Sequence, residues 1–553
     1  MCNLHLLKKL SMKKIFIRIL LIIGLLFLIL KGIEYLLERN FQSRINSNPD
    51  RAYNITYKNF DLHTFLKGVT LDELSIQPLN ETAGTVITGN VNYATLKGLV
   101  WRDLLFGKRL NIEEISFEQP VFEITLSADT VKKTSGKGIQ AMFGDILSRV
   151  ELSVFSIQNG SVILKEPESG RIKGEIRKVN IKADDLETDS IQLKNIIPFN
   201  MGSLIVEIEE ASFDLNEYTH LNLGSLDYNL KNKEIVLQDI SLGYSIDWIE
   251  VSKRIGIQND VIELDVKTVS IRQLEPSNKF YVNLDIKAQS IGLDGIEIKL
   301  QRNKNLSRPP DTVKPMFKEM IDAIPLALEI DTIQITNSSV TYSELGVKKE
   351  HSGTIEINQI NGDIVGITNI PELQQNLGNL NAHLTASLGG LAPMNVNLAV
   401  PYEGESFSLD VDVAEMELSK LNPIFTPLAG VDIESGQLSR IKYHMNASKY
   451  HSQNKLIFDY RNLHMNMVKE SEEHTPKKRV FLSAMANAAI RNNNMPDQEK
   501  YLTAQYQSER NFYRSPVNYI IQGLIQGIIR IVPGKNVQKA LTKKKKKKKK
   551  KKK

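Results

Sequence analysis

Two patterns of hydrophobic and polar positions divide this chain. Near the N-terminus, residues 15–37 form a single long apolar segment, interrupted mainly by Arg18 and by polar positions after residue 30. About 20 such residues suffice for a helix to cross a bilayer. We therefore predict a membrane anchor, whose embedded residues are Ile19, Leu20, Leu21, Ile22, Ile23, Leu25, Leu26, Phe27, Leu28, Ile29 and Leu30.

The charges around this segment predict its orientation. Lys8, Lys9, Lys13 and Lys14 precede it, and positive charge is retained on the cytoplasmic side of a membrane. The N-terminus is therefore expected in the cytoplasm and the remaining chain across the membrane. A cleavable signal peptide is the competing interpretation. The length of the run, and its continuation into residues 31–39 without a small-x-small cleavage site, favour an uncleaved anchor.

After residue 50 the dominant pattern is strict alternation of apolar and polar residues. This pattern predicts strands with one apolar and one solvated face, as in an antiparallel sheet wet on one side. We expect a mainly β fold: one N-terminal transmembrane helix, then an elongated, curled, groove-like antiparallel sheet with internal duplication and a few short helices. A stack of β-sandwiches, whose apolar faces bury one another, explains the alternation equally well. The candidate groove residues are Phe122, Ile124, Leu126, Ile262, Leu264, Val266, Val282, Leu284, Ile286, Val396, Leu398, Phe407, Leu409 and Val411.

The chain also repeats an order of elements. In the first copy, the strand at residues 119–126 is followed by a helical stretch at 141–147 and strands at 150–164 and 174–181. A second copy has the same order at residues 295–300, 315–321, 328–342 and 353–360. Asn159-Gly160 predicts a two-residue hairpin turn, and Asn337-Ser338 is its weaker counterpart.

This order gives five predicted segments. Residues 1–40 are the cytoplasmic tip and anchor, and residues 41–292 are the first β-rich repeat, with a helix near 138–148. Residues 293–480 are the second repeat, with a helix near 312–324 and C-terminal hairpins. Residues 481–535 are C-terminal helices, and residues 536–553 form a disordered lysine tail. One of the C-terminal helices is expected over Phe481–Ile490 and packed in a core.

The last predicted helix begins at Ser515-Pro516, where Ser is a capping residue and Pro suits the first helical position. Gly523 and Gly527 offer a face for close approach to a neighbour. The helix either caps the apolar end of the groove or lies in a membrane plane or against a partner. Its amphipathic stripe comprises Ile520, Ile521, Leu524, Ile525, Ile528 and Ile529.

The net charge, the single cysteine and the motif content of the chain exclude several classes of function. Without the eleven lysines 543–553 the formal net charge falls from +6 to −5, so we expect no nucleic-acid partner. The single cysteine, Cys2, excludes disulfides within the chain. Neither a nucleotide-binding nor a nucleophile-elbow motif is present, and the His444, His451, His464 and His474 grouping lacks metal-ligand spacing. We expect no enzymatic activity, catalytic residue, metal or cofactor.

Several stretches resemble the AsmA-like family of bacterial envelope proteins. They are Leu110–Ile124, with its strand–Pro–strand order, Leu421–Pro423, Ile433–Leu438 and Leu456–Leu463. Asn454 departs from the family pattern, in which glycine is more usual before the strand. The resemblance implies a single-pass inner-membrane protein with a periplasmic body.

The function implied by this resemblance is transfer of phospholipid toward the outer membrane, or maintenance of that membrane. The expected partners are membrane phospholipids, the inner membrane itself and outer-membrane or other envelope proteins. The alternative function is a periplasmic scaffold or assembly factor that binds envelope proteins and carries no lipid.

Overall fold

The structure is a computed structural model of the 553-residue chain. It describes residues 3–46, 53–63, 68–79, 86–99, 110–125, 150–167, 169–186, 201–275, 285–469, 477–478, 487 and 489–533. The fold is mainly β, as alternation predicted. The chain divides into two compact units, residues 1–211 with 227–231 and residues 212–226 with 232–553.

The first unit begins with α1 and carries a mixed sheet. Its elements are α1 Asn3–Ile45, β1 Tyr53–Thr56, β2 Asn59–His63, β3 Gly68–Pro78, β4 Val86–Lys97, β5 Leu110–Asn111, β6 Glu114–Glu118, β7 Val121–Thr125, β8 Val150–Glu151, β9 Val154–Lys165 and β10 Ile172–Asp184. The boundaries between the units fall in β11, Ser203–Asp214, and β12, Thr219–Asn229.

Among the described residues, the second unit contains the remaining strands and the helices α2 to α6. These elements are β13 Glu234–Tyr244, α2 Trp248–Ile255, β14 Asp260–Arg272, β15 Asp285–Asn303, α3 Phe317–Asp322, β16 Ala327–Leu345, β17 Ser352–Thr368, α4 Pro371–Leu377, β18 Asn379–Leu388, β19 Ala392–Pro401, β20 Ser406–Val413, β21 Met416–Glu417, α5 Asn422–Ala429, β22 Val431–Ser448, β23 His451–Lys469, β24 Lys477–Lys478, β25 Ala504–Glu509 and α6 Pro516–Ile531. A 3₁₀ turn at Leu418–Leu421 precedes α5.

The C-terminal end of α1 anchors the core of the first unit. Leu37 and Phe41 are buried, and the Phe41 ring lies 5.6 Å from the ring of Phe60 on β2. Leu71 on β3 and Ile87 on β4 are buried in the same hydrophobic cluster, on the apolar faces of their strands. Within the described part of the chain, no helix meets the length and hydropathy required to span a membrane.

The predicted purely antiparallel pairing is wrong, because the sheet is mixed. In the first unit β6 and β7 both pair with β9 in parallel, and in the second unit β15 pairs with β16 in parallel. The remaining neighbours of the second unit, from β13 to β23 and β25, are antiparallel. A parallel pair requires a long crossover connection. Alternation along one strand carries no information about its partner's direction, so this pairing could not be derived from it.

The crossovers coincide with the segments in which helices were predicted. The connection between β15 and β16 carries α3, Phe317–Asp322, a shorter form of the helix expected near 312–324. The helix expected near 138–148 lies outside the described residues, as do Leu126, Val282, Leu284 and the tail after residue 533. The helix expected over Phe481–Ile490 also lies outside the described residues, except at Asn487, Ala489 and Ile490.

The predicted hairpin turn at Asn159-Gly160 is also wrong, because β9 continues through it. Asn159 has φ of 52°, and the register of β9 against β10 shifts there. Asn337 in β16 has φ of 51° at the equivalent shift against β17. Asn tolerates the left-handed conformation that both a tight turn and a bulge use, so the dipeptide alone does not distinguish them.

These bulges share a specific hydrogen bond. The backbone N–H of Asn159 donates to Asn180 Oδ1 at 2.9 Å, and that of Asn337 donates to Asn361 Oδ1, also at 2.9 Å. A third example occurs in β23, where Asn462 has φ of 53° and its N–H donates to Asn493 Oδ1 at 2.8 Å. The recurrence in both units agrees with the repeated order of elements in the sequence.

Candidate functional site

The most extensive feature of the second unit is a pair of apolar rows that cross the strands. Residues opposite one another on paired strands lie on the same face of a sheet. Row 1 consists of Leu237, Val269, Leu293, Ile335, Gly362, Leu384, Val396, Val411, Tyr443, Leu456 and Ala504. Row 2 consists of Ile235, Ile271, Ile291, Ile333, Ile364, Ala382, Leu398, Leu409, Met445, Asn454 and Tyr506.

The two rows belong to one face. On every strand their members are two residues apart, and strand side chains alternate between faces with a period of two. Row 1 contains no polar side chain except the hydroxyl of Tyr443, and Row 2 contains Asn454 and the hydroxyl of Tyr506 as its polar groups. The face is therefore almost wholly apolar across all the strands that the two rows cross.

A third apolar row extends this face across β13 to β18. It contains Leu242, Leu264, Ile298, Val340, Ile357 and Leu388. Between Row 1 and this third row, four of the strands carry a residue with positive φ, namely Asp239, Gly295, Asn337 and Gln359. A bulge residue shifts the alternation by one position, so apolar side chains five residues apart can share a face.

Exposure of the rows changes from one side of the unit to the other. On β13 to β17 the side chains of all three rows are half-buried, including Leu237, Leu293 and Ile335. On β20 to β25 most of the equivalent side chains are buried, including Leu409, Met445 and Leu456, whereas Val411 and Tyr506 are half-buried. The apolar face is thus largely covered on β20 to β25 and partly open to solvent on β13 to β17.

Helix α6 provides the cover at β22, β23 and β25. Ser515 caps it by accepting a hydrogen bond from the N–H of Asn518 at 3.4 Å, and Pro516 is its first residue, as predicted. Gly523 and Gly527 are buried against the strands, and a Cβ at Gly527 would lie 2.6 Å from Leu456 Cδ2. The glycines therefore allow the close approach that the sequence predicted.

Tyr443, Asn454 and Tyr506 form hydrogen bonds beneath α6. The Tyr443 hydroxyl donates to Asn454 Oδ1 at 2.8 Å, and the amide of Asn454 donates to Ser452 Oγ at 2.9 Å. The Tyr506 hydroxyl donates to the Gly523 carbonyl at 2.6 Å. Burial raises the pKa of Tyr506 to about 12 and raises that of Tyr443 further. Asn454, the residue that departs from the family pattern, thus has a structural role in this network.

Helix α3 and the C-terminal helix meet over β20. The Phe407 ring lies 5.1 Å from that of Phe317 on α3 and 6.4 Å from that of Tyr519 on α6, both in edge-to-face geometry. Phe407 is one of the predicted groove residues, but these contacts place it in a closed core rather than on an open surface.

One border of the half-buried face is charged. Next to the third apolar row, two residues further along each strand, lies a row of Ile262, Leu300, Tyr342 and Ile355. Two residues further again, Asp260, Arg302 and Glu344 lie opposite one another. Arg302 Nε donates to Asp260 Oδ1 at 2.7 Å, and Lys304 Nζ lies 2.5 Å from Glu344 Oε1. The apolar rows thus end, at this side, in paired charges.

Helix α2 covers the other face of the same strands. Val251 on α2 and Val261 on β14 are both fully buried, and Asn303 Nδ2 donates to Ser252 Oγ at 3.0 Å. Val261 follows Asp260 and Asn303 follows Arg302 in the sequence. Because strand side chains alternate between faces, Val261 and Asn303 point to the face opposite that of the charged row. This packing leaves the apolar rows at β14 and β15 free of α2.

The predicted groove residues have several different environments. Leu264 lies in the third row, Val396 and Val411 in Row 1, and Leu398 and Leu409 in Row 2. Val266 is buried, Ile262 is exposed and Ile286 is half-buried opposite Leu328.

Phe122 and Ile124 lie elsewhere, on β7 in the first unit, where both are half-buried and pack against its core. In α1 the described side chains Leu21, Ile23, Leu25, Leu26, Phe27, Leu28 and Ile29 are exposed, and those of Ile19, Leu20, Ile22 and Leu30 lie outside the described set.

The predicted stripe of the C-terminal helix is only partly its packing face. Ile520, Leu524 and Ile528 are half-buried, whereas Ile521, Ile525 and Ile529 are exposed. Tyr519, Gly523, Gly527 and Ile531 form the buried face instead. Side-chain hydrophobicity does not mark this face, because two of its four members are glycines.

Sequence reasoning missed the most regular part of the rows, including Leu293, Ile333 and Ile335. The sequence pattern that could have revealed them is the distance of five residues between the apolar Ile335 and Val340, with Asn337 between them. That spacing interrupts a period of two, and a bulge explains it.

The described residues contain no group of three or more His, Cys, Asp or Glu side chains arranged to hold a metal ion. His444 instead has Asp410 as a neighbour, with Nδ1 2.7 Å from Oδ1. Comparison with known proteins finds no family model that matches the chain and no curated protein similar to it.

Proposed function

We propose that this protein is anchored in a bacterial inner membrane and that its periplasmic body shields and transfers phospholipid toward the outer membrane, or maintains that membrane. The observation that carries the proposal is the pair of almost wholly apolar rows from β13 to β25, half-buried over β13 to β17. An apolar surface of this extent that is partly open to solvent is costly in water and is typical of a site of interaction.

The chemistry of the face suits an acyl lipid. Rows of Leu, Ile and Val offer no hydrogen bonds, and each methylene that they bury contributes roughly 0.8 kcal/mol. The paired charges at Asp260, Arg302 and Glu344 border the apolar rows, where a polar headgroup meets water. Eleven strands spaced about 4.8 Å apart give the rows a length of roughly 50 Å, which is longer than one lipid. A lipid could therefore occupy successive positions along them.

Site-specific photocrosslinking in the full-length chain tests this proposal. A photoreactive amino acid at Ile335, within Row 1, is expected to crosslink to phosphate-labelled lipid in cells. The matched control is Gln334, the exposed neighbour whose side chain points to the opposite face. Lipid adducts at position 335 and their absence at 334 would support the lipid-bound face. Equal labelling at both positions, or adducts with protein only at 335, would reject it, and protein adducts would favour the scaffold function.

A further inference from the structure

Helix α6 has four longitudinal rows of residues, each with a spacing of four. The row facing the sheet is Tyr519, Gly523, Gly527 and Ile531, and the adjacent row of Ile520, Leu524 and Ile528 is half-buried. A polar row consists of Asn518, Gln522, Gln526 and Arg530. The fourth, which we name the α6 ridge, is apolar and exposed: Val517 at 54%, Ile521 at 47%, Ile525 at 41% and Ile529 at 47%.

The α6 ridge lies outside the buried face of this helix. The contacts that hold α6 on the sheet come from the glycine row, from Ile520, Leu524 and Ile528, which pack against the core, and from Tyr506. The ring of Tyr506 also lies 4.3 Å from the guanidinium of Arg530. Tyr513, 45% exposed, lies four residues before Val517 in the sequence, in the turn that precedes α6. An aligned set of exposed aliphatic side chains beside polar ones is typical of a helix that lies in a membrane interface.

The charge of the surrounding sequence favours one class of partner. Residues 510–553 contain no Asp or Glu but contain sixteen Lys and Arg, and five of these precede the run of eleven lysines. Since the whole chain carries +6, residues 1–509 carry 6 − 16 = −10. The positive charge therefore belongs to the segment that bears the α6 ridge, whereas the preceding chain is acidic.

We propose that the α6 ridge docks on an anionic phospholipid surface, with Val517, Ile521, Ile525 and Ile529 inserted among acyl chains and the basic residues of 510–553 held at the headgroups. Apolar burial and electrostatic attraction act together in such binding. A second copy of this chain fits less well, because pairing two ridges would bring two strongly basic segments together. This surface lies outside the apolar rows, so the proposal does not depend on the proposed function.

A trans-binding assay with the full chain tests the docking. The protein is held in phosphatidylcholine nanodiscs and mixed with acceptor vesicles of phosphatidylcholine containing phosphatidylglycerol, or of phosphatidylcholine alone. Flotation then reports the nanodiscs that vesicles carry. We expect binding to the anionic vesicles only, and its loss as salt is raised, because screening weakens charge attraction. Equal binding to both vesicle types, or no binding to either, would overturn the proposal.

Variants separate the ridge from the basic segment. The double variant Ile521→Gln with Ile525→Gln is expected to lower binding by about tenfold or more, since it removes two aliphatic side chains from the buried set. Leu377→Gln on α4, where Leu377 is 51% exposed, is the matched control and should bind as the wild type does. Replacing Lys543–Lys553 by glutamine should weaken binding and reduce its salt dependence.

Unchanged binding of the ridge variant would reject the docking surface even if the lysine variant were weakened, because charge alone would then account for attachment. The far-ultraviolet circular dichroism spectrum and the denaturation midpoint of the ridge variant, compared with those of the wild type, show whether the protein has retained its fold. Wild-type binding only to an acidic protein, and not to anionic vesicles, would identify a protein partner instead and contradict the proposal.

Discussion

Single residues set the geometry on which the sheet depends, and Asn337 is the best example. It adopts φ of 51°, its N–H donates to Asn361 Oδ1, and its Nδ2 donates to Asp294 Oδ1 at 2.7 Å. The bulge that it forms lies between Ile335 and Val340, two members of the apolar rows. One polar residue thereby keeps two apolar positions on the same face.

Asn337→Val should lower the free energy of unfolding by about 1–2 kcal/mol more than Asn337→Gly does. Both variants lose the bond to Asp294, but only valine meets the steric cost of the left-handed conformation. Chemical denaturation of the full chain in detergent measures the difference. Equal effects of the two substitutions would show that the backbone at residue 337 is not strained.

Tyr506 links the stability of the C-terminal region to alkaline pH. Burial raises its pKa to about 12, above the value of about 10 in an unfolded chain. The native state therefore holds this proton more tightly, and the resulting stability is complete below pH 10 and is lost as the pH rises toward 12.

Tyr506→Phe should reduce that alkaline loss while lowering stability at neutral pH by roughly 1 kcal/mol, because the bond to the Gly523 carbonyl disappears. Unfolding monitored against pH tests both effects, with the exposed Tyr450→Phe as the control. An unchanged pH profile in Tyr506→Phe would contradict the linkage.

At the scale of elements, α6 decides how much of the apolar face is covered. Its contact with the strands relies on the absence of side chains at Gly523 and Gly527, and a Cβ at Gly527 would also lie 2.5 Å from the Tyr506 hydroxyl. Helix propensity alone favours alanine over glycine by about 1 kcal/mol. The two effects of a Gly→Ala substitution therefore have opposite signs here.

Gly527→Ala should loosen α6, because overpacking of about 1–3 kcal/mol exceeds the gain in propensity. Faster proteolysis within residues 510–533, and stronger binding of an apolar dye, are the expected readouts. Gln522→Ala, at an exposed position of the same helix, provides the control. Slower proteolysis of Gly527→Ala would mean that the contact adapts without cost.

At the scale of the whole molecule, charge and hydropathy are unevenly distributed along the chain. The apolar segment lies within α1, whose C-terminal end is fixed in the first unit by Leu37 and Phe41. The basic segment 510–553 lies at the other end of the sequence. The membrane anchor remains a prediction from the sequence, and the docking of α6 on a lipid surface remains our proposal.

The anchor prediction can be tested by alkaline carbonate extraction of membranes. The full chain should stay in the membrane fraction, whereas Leu25→Arg with Leu26→Arg should release it, since each central Arg costs about 2.5–3.5 kcal/mol in a membrane helix. Tyr35→Arg, further along α1 and also exposed, serves as the control. Extraction of the wild-type chain would contradict the anchor.

The sequence by itself determined the features whose causes are local. Alternation predicted a mainly β fold, Ser515-Pro516 predicted the start of α6, and Gly523 with Gly527 predicted its close packing. Each depends on residues within a few positions of one another, where periodicity, capping and side-chain size act directly.

Only the tertiary structure decided the features that depend on distant partners. The parallel pairing of β15 with β16, the bulge at Asn159 and the rows through Leu293 and Ile335 all require the register of neighbouring strands. A strand with a period of two has the same pattern in either direction and with any partner. Long-range pairing therefore determines which of its apolar residues are covered, as Leu456 is, and which stay half-exposed, as Leu293 does.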